Sequence, residues 1–231
     1  MTSAGTERRP LKPVMRKSTA AMIADSVRGA LERGDLPPGA QLGEAELARQ
    51  LGVSRGPLRE GLQRLTQEGL LLSIRNRGLF VIEMTPDRVR DMYVARSAVE
   101  RAAAEQIHLG TPEEAGAELL KITDAMSATA EVDDRSGVGE ADIAFHDVLV
   151  GFAGSPRLSR MHRTLLTETR MGIHALDPTY DGDDTRVAEH RAIARSFIER
   201  DPAETDRLLQ LHMADAVRRL IHEEEEQPPA S

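Results

Sequence analysis

Between Leu36 and Ile82, turn formers, short apolar runs and basic residues alternate in an order that few folds accommodate. Pro37-Pro38-Gly39 makes a turn, and Glu44 to Leu51 reads as a short helix. Gly52-Val53 is a tight connection, and Ser54 caps a second helix that runs to about Glu68. Two short apolar runs, Leu70 to Ile74 and Leu79 to Ile82, flank the loop Arg75-Asn76-Arg77-Gly78 and predict a β-hairpin. Helix, turn, helix and a basic-tipped hairpin suit the major groove of duplex DNA, with the hairpin as a wing on the adjacent backbone.

The second helix carries the strongest chemistry of this stretch. Leu58, Leu62 and Leu65 fall at i, i+4 and i+7 and form one apolar stripe for packing on the preceding helices. Arg59 lies about 100° around the helix from Leu58 and points away from that stripe. Arg55 sits one turn earlier, at the end that enters a groove. A guanidinium matches the O6/N7 edge of guanine, where a bidentate contact discriminates by roughly 1–3 kcal/mol. The Ser54 hydroxyl and the free amides of the first turn, Arg55 and Gly56 among them, suit a phosphate. Pro57 is tolerated because a first-turn N–H has no intrahelical partner to lose. Taken alone, the helix also reads as an ordinary amphipathic one with solvated arginines; the glycine-hinged turn and basic wing favour the DNA reading.

Leu36-Pro37-Pro38-Gly39, Leu42, Glu46-Leu47-Ala48, Leu51-Gly52-Val53-Ser54-Arg55, Pro57-Leu58-Arg59-Glu60, Leu65, Glu68-Gly69-Leu70 and Arg77-Gly78 together resemble the winged helix-turn-helix of the GntR regulators. The resemblance implies that Arg55 and Arg59 read bases and that Gly78 lets the wing approach the minor groove. Some members carry a DNA-contacting arginine where this chain has Ala45, which shifts base readout toward Arg55, Arg59 and the wing with Arg75 and Arg77.

Charge is divided unevenly along the chain. Residues 1–85 hold 13 Lys+Arg against 9 Asp+Glu, a balance of +4, and the remainder carries −12. A basic amino-terminal third on an acidic remainder suits a DNA reader joined to a domain that does not touch DNA. The length of 231 residues allows two modest domains, and 40% hydrophobic residues supply a core. With 3% aromatics that core is aliphatic and methionine-rich, which suits helices. The absence of cysteine excludes disulfides and thiolate metal sites. Apolar runs are too short to cross a bilayer and no secretory leader opens the chain, so a cytoplasmic protein without a membrane partner is expected.

The expected fold is mainly α: a winged helix-turn-helix of three helices plus a β-hairpin over 19–84, then an all-α bundle of six to seven helices over 85–226. Residues 1–18 read as a basic tail, either a plain leader or a segment that brushes phosphates, and 227–231 as a second tail. Thr19 to Glu32 makes the first helix, with Met22, Ile23, Val27, Ala30 and Leu31 inward. Beyond the hairpin, Thr85-Pro86, Thr111-Pro112, Ser155-Pro156 and Asp201-Pro202 place proline at the first helical position. Glu114 and Glu204 add capping boxes. Further starts near Arg135 and Asp181 bring the count to about six helices between Thr85 and Glu226.

All seven histidines lie in this helical half. Asp142 and His146 are four apart and share a helix face, His190 lies on the next helix but one, and His212 on the last. Three imidazoles and a carboxylate suit Zn, Ni, Mn or Fe where thiolates are lacking, and ligands on three helices of a bundle converge inward. By spacing alone the pattern is a weak signal, and exposed or structurally hydrogen-bonded histidines are the commoner reading. His108 and His222 read as helix-end residues favoured by the dipole. His162 and His174 can border the cavity but read more simply as surface positions, and Glu223 to Glu226 as a solvated acidic end.

Ala141-Asp142-Ile143-Ala144-Phe145-His146, Glu189-His190-Arg191-Ala192-Ile193 and Leu211-His212-Met213 resemble the signature segments of the FCD domain, the helical effector domain of the FadR-type branch of the GntR family. That resemblance implies a divalent ion held by Asp142, His146, His190 and His212, with a small carboxylate completing its shell. It also matches Arg96 to an arginine that can face the cavity and clamp the ligand carboxylate; pairing with Glu100 one turn on is the alternative. Ala153-Gly154-Ser155-Pro156 departs from the family, which often places a ligand-touching Asn after the small residues. The function expected is a ligand-responsive regulator, a repressor, that binds a pseudo-palindromic operator as a homodimer. A metal-dependent enzyme acting on a small organic acid, and a regulator with a purely structural metal, are the alternatives.

Overall fold

A computed structural model of the protein describes residues 17–132, 134–176 and 183–221. Residues 1–16 of the expected basic tail 1–18, the expected tail 227–231, His222, Glu223 to Glu226 and the helix start near Asp181 lie outside the described residues. The amino-terminal unit holds α1 (Thr19–Glu32), α2 (Glu44–Leu51) and α3 (Arg55–Gln67). Its strands are β1 (Gln41–Leu42), β2 (Leu71–Ile74) and β3 (Gly78–Val81). The sheet is antiparallel in the order β1-β3-β2, so the expected hairpin gains a third strand beside β3. Two residues give no periodicity to read, and β1 forms because the turn at Pro37-Pro38-Gly39 delivers Gln41 and Leu42 opposite Phe80 and Leu79.

The leucine stripe of α3 is its buried face: Leu58 and Leu65 are inaccessible and Leu62 nearly so. They close a core with Ile23, Val27 and Leu31 of α1, Leu47 of α2, Leu70 just before β2, and Val81 of β3. Met22 is 53% exposed, against the expectation that it faces inward, because the stripe of α1 runs through Ala20, Ile23, Ala24, Val27 and Leu31. Gly61 makes the α1–α3 contact possible. A Cβ there would stand 2.8 Å from Ile23 Cγ2 and 2.9 Å from the Ala20 carbonyl.

Six helices follow among the described residues: α4 (Pro86–His108), α5 (Pro112–Glu131), α6 (Arg135–Phe152), α7 (Pro156–Leu176), α8 (Asp183–Ile198) and α9 (Pro202–Leu220). The caps explain most of the starts. Thr85 and Asp201 accept from the amides of Arg88 and Glu204, and Ser155 accepts from Leu158. Thr111, expected to cap α5 with Glu114, makes no side-chain cap bond. Helix α5 packs on α6 and α8, and α4 on α6, α7 and α9. One apolar core fills the middle of this bundle around Phe145, Phe197, Leu119 and Leu149. The core of the amino-terminal unit continues into the bundle through Val89, Met92, Met171, Met213 and Leu220. No helix among the described residues is long and apolar enough to cross a membrane.

Candidate functional site

Asp142 and His146 project from α6, His190 from α8 and His212 from α9 into one buried point of the bundle. One ligand atom from each lies within 4.8 Å of all the others. His146 Nε2 is 3.1 Å from His212 Nε2 and 3.2 Å from His190 Nε2, and His190 Nε2 is 3.0 Å from Asp142 Oδ1.

Hydrogen bonds on the far side of each ring fix its tautomer. His190 Nδ1 lies 2.8 Å from the Arg186 carbonyl oxygen, which can only accept, so Nδ1 carries the proton. His146 Nδ1 lies 2.6 Å from Glu100 Oε2, and His212 Nδ1 3.0 Å from Glu189 Oε2. Burial acts to raise both glutamates, but their imidazole and arginine neighbours outweigh it. Glu100 is held well below the ordinary carboxylate range and Glu189 below it, so each is an acceptor. The Nε2 atoms of all three rings therefore face one another and the Asp142 carboxylate. Burial, followed by the Arg96 charge, pushes the His146 imidazole down to about 3. Burial, followed by His190, lowers His212. Asp142 stays ionised: burial raises it, and the hydrogen bond to His190 with the nearby imidazoles brings it well below its usual value.

Three imidazole nitrogens and a carboxylate held this close in one buried space suit a cation between them. The donor set, three nitrogens and one oxygen, is the one that divalent zinc, nickel and manganese accept. Each imidazole is oriented by an acceptor behind it, the support that metal-binding histidines ordinarily have. The residues fit the metal.

Arg96 is buried and adjoins this centre. Its Nε donates to Glu100 Oε1 at 2.7 Å, and its Nη1 is 3.5 Å from the Thr169 hydroxyl. The structural pair with Glu100 therefore exists, yet Arg96 Nη2 is buried with no hydrogen-bond partner among the described residues. A cavity of about 20 Å³ is lined by Tyr93, Arg96, Asp142, Arg186, His212 and Arg219. It accommodates little more than one water-sized group, such as the oxygen end of a small acid.

Sequence reasoning missed Glu100 as a hub and placed His162 on the surface. His162 is inaccessible, with Nε2 3.0 Å from Glu100 Oε1. It is drawn inward because α7 packs across α4 and presents it to that carboxylate. The i, i+4 spacing of Arg96 and Glu100 was the one signal available for the hub. His174 is exposed as expected, and half-buried His108 stacks on Phe197 at 5.0 Å and bonds the Thr205 hydroxyl.

In the amino-terminal unit, Ser54, Arg55, Gly56 and Arg59 lie exposed at the start of α3, and Arg75, Arg77 and Gly78 at the tip of the wing. Ser54 occupies the cap position with no side-chain cap bond, which leaves its hydroxyl for another acceptor or donor. Gly78 has φ 105°, a conformation that only glycine adopts readily, and Gln41 Nε2 donates to the Arg77 carbonyl at 2.7 Å. Arg59 is turned outward but is not free: its Nε donates to Glu44 Oε2 of α2 at 2.7 Å. That pair is exposed on both sides, and exchanging it for a base edge costs about 0–1 kcal/mol.

Residues 19–81 match the gntR family of bacterial regulatory proteins, and residues 91–215 match the FCD domain. A D-xylose utilization operon transcriptional repressor of Paenarthrobacter nicotinovorans is 30% identical over 207 residues, covering 88% of this chain and 89% of its own. An HTH-type transcriptional regulator from the TAR-I ttuE-ttuC' intergenic region of Agrobacterium vitis is 35% identical over 131 residues, 55% of this chain and 77% of its own. Among solved structures, a GntR transcriptional regulator from Rhodococcus sp. RHA1 superposes with a TM-score of 0.74 at 27% identity, over 90% of this chain and all of that one. The chain belongs to the GntR family of bacterial transcriptional regulators, with a GntR helix-turn-helix followed by an FCD domain.

Proposed function

We propose that the protein is a cytoplasmic, metal-containing, ligand-responsive repressor that binds a pseudo-palindromic operator as a homodimer and senses a small carboxylate. Residues 19–84 act as the DNA-reading head and 85–226 as the sensing and dimerising half. One observation carries the reading: three imidazole nitrogens and a carboxylate converge in a buried space beside a cavity lined by three arginines.

Asp142, His146, His190 and His212 are the proposed metal ligands. The ion, when bound, supplies a fixed positive centre that neutralises Asp142 and favours an anionic ligand. Arg96 faces the same cavity with one unpartnered N–H group and can donate to a carboxylate oxygen. The cavity is too small for more than the end of such a molecule, so entry of a larger acid requires the surrounding helices to move. Regulation follows if the acid binds the moved and unmoved arrangements with different affinity.

On the DNA side, Arg55 and Arg59 are the proposed base readers. Ser54 and the amides of Arg55 and Gly56 hold a phosphate, and Arg75, Arg77 and Gly78 bring the wing onto the flanking backbone. A dimer sets two such heads on half-sites of a palindrome. Repression is also the role in the name of the Paenarthrobacter relative, a D-xylose utilization operon transcriptional repressor.

Selection of preferred duplexes from a random library, followed by anisotropy titration, tests this reading. Wild type should show a selected sequence bound at least about a thousandfold tighter than random duplex. Arg59→Ala should lose roughly 1–3 kcal/mol of that preference while keeping salt-sensitive background binding. No selected sequence, or full preference in Arg59→Ala, would count against it.

A further inference from the structure

We propose that α7 carries the state of the buried centre to the DNA-reading head, and that the contact of Thr167 and Arg170 with Glu32 is where the signal crosses. This inference rests on the metal reading above and names the route of its regulation. Helix α7 contributes none of the four proposed ligands, yet two adjacent stripes of it face the two halves of the problem. His162 and Thr169, seven apart, face the centre: His162 bonds Glu100, the carboxylate behind His146, and Thr169 bonds Arg96. Arg163, Thr167 and Arg170, at i, i+4 and i+7, lie about 100° further round and face α1.

Those three side chains meet carboxylates of the first helix. The Thr167 hydroxyl donates to Glu32 Oε1 at 2.7 Å, Arg170 Nη1 lies 3.9 Å from Glu32 Oε2, and Arg163 Nη1 lies 4.0 Å from Asp25 Oδ1. Arg170 also donates to Glu140 at 3.0 Å, two residues before Asp142 on α6. Glu32 is thus joined both to the helix that backs the centre and, through Arg170, to a helix that supplies its ligands. Helix α1 in turn moves with the reading helix: Gly61 of α3 sits against Ile23, and buried Arg28 pairs with Glu68 at the end of α3. A small displacement of α7 at Glu100 and Arg96 therefore reaches α3 through packed contacts, without passing through the linker from β3 to α4.

Glu32→Gln and, separately, Thr167→Val in the full-length protein test the route, with Mn²⁺ or Zn²⁺ alone as the probe and a selected duplex as the DNA. Metal affinity is measured by calorimetry, and DNA affinity by anisotropy with and without chelator. In wild type the ion should change DNA affinity by about fivefold or more. In both variants that ratio should fall below about twofold, while metal affinity and metal-free DNA affinity stay at wild-type values. A wild-type ratio retained in both variants overturns the route. A wild type that binds the ion with no change in DNA affinity also overturns it and leaves the metal site standing. A wild type that takes up no divalent ion overturns the site itself.

Discussion

One buried carboxylate, that of Glu100, answers to three side chains at once. Its Oε1 accepts from Arg96 and His162, and its Oε2 from His146, so a proposed metal ligand and the proposed effector-binding arginine share an anchor. Glu189 plays the simpler part behind His212, with Arg219 on its other oxygen. Replacing Glu189 with Gln removes the charge that orients His212 and strengthens its lone pair. Metal affinity in a chelator-competition titration should then fall by about 10–100-fold; an unchanged value would remove Glu189 from the support of the site. The four proposed ligands were legible because their types and segments are a recognisable pattern along the chain. Glu100 and His162 were not, because nothing in the spacing of α4 and α7 says which of their polar residues the packing turns inward. Arg59 shows the same limit from outside: its outward direction follows from the stripe of Leu58, Leu62 and Leu65, whereas its partner Glu44 lies fifteen residues earlier, across the turn.

Elements whose ends are chemically marked were read most closely. Proline after Thr, Ser or Asp placed the starts of α4, α5, α7 and α9, although Thr111 begins α5 without the expected side-chain bond. Strand β1 escaped because two residues carry no alternation. Close approach of helices is equally hidden: Gly61 is an unremarkable glycine in sequence, and the packing alone reveals that α1 needs its missing Cβ. Gly61→Ala should force Ile23 and the Ala20 backbone away and cost about 1–3 kcal/mol, measured by chemical denaturation. A stability equal to wild type would mean that α1 and α3 can separate freely. At the junction of α4 and α9, burial lowers the His108 pKa from 6.5, with Asp201 acting weakly in the other sense. The unfolded chain then binds that proton more tightly, so stability is full above about pH 6.5 and falls as pH drops below it. His108→Phe keeps the stack on Phe197 without the titration. Its melting temperature should fall less than that of wild type between pH 6.5 and 5, and parallel curves would contradict this assignment.

At the scale of the whole molecule, a chain of net charge −8 contains a head whose exposed arginines face outward and an acidic bundle that surrounds a buried cationic cavity. The division of charge was visible in the sequence, as was the order of head and bundle. The docking of α1 on α7, which joins them through Glu32, Thr167 and Arg170, was not, because it depends on how two amphipathic surfaces meet rather than on either alone. The most direct test is the divalent metal content of the purified full-length protein, determined by elemental analysis after dialysis against metal-free buffer, beside that of His190→Ala. About one tightly held ion per chain is predicted for wild type, with most of it lost in the variant and a melting temperature that drops when a strong chelator is added. A wild type that holds no ion after incubation with Zn²⁺, Ni²⁺ or Mn²⁺, or a variant that holds as much as wild type, would contradict the account.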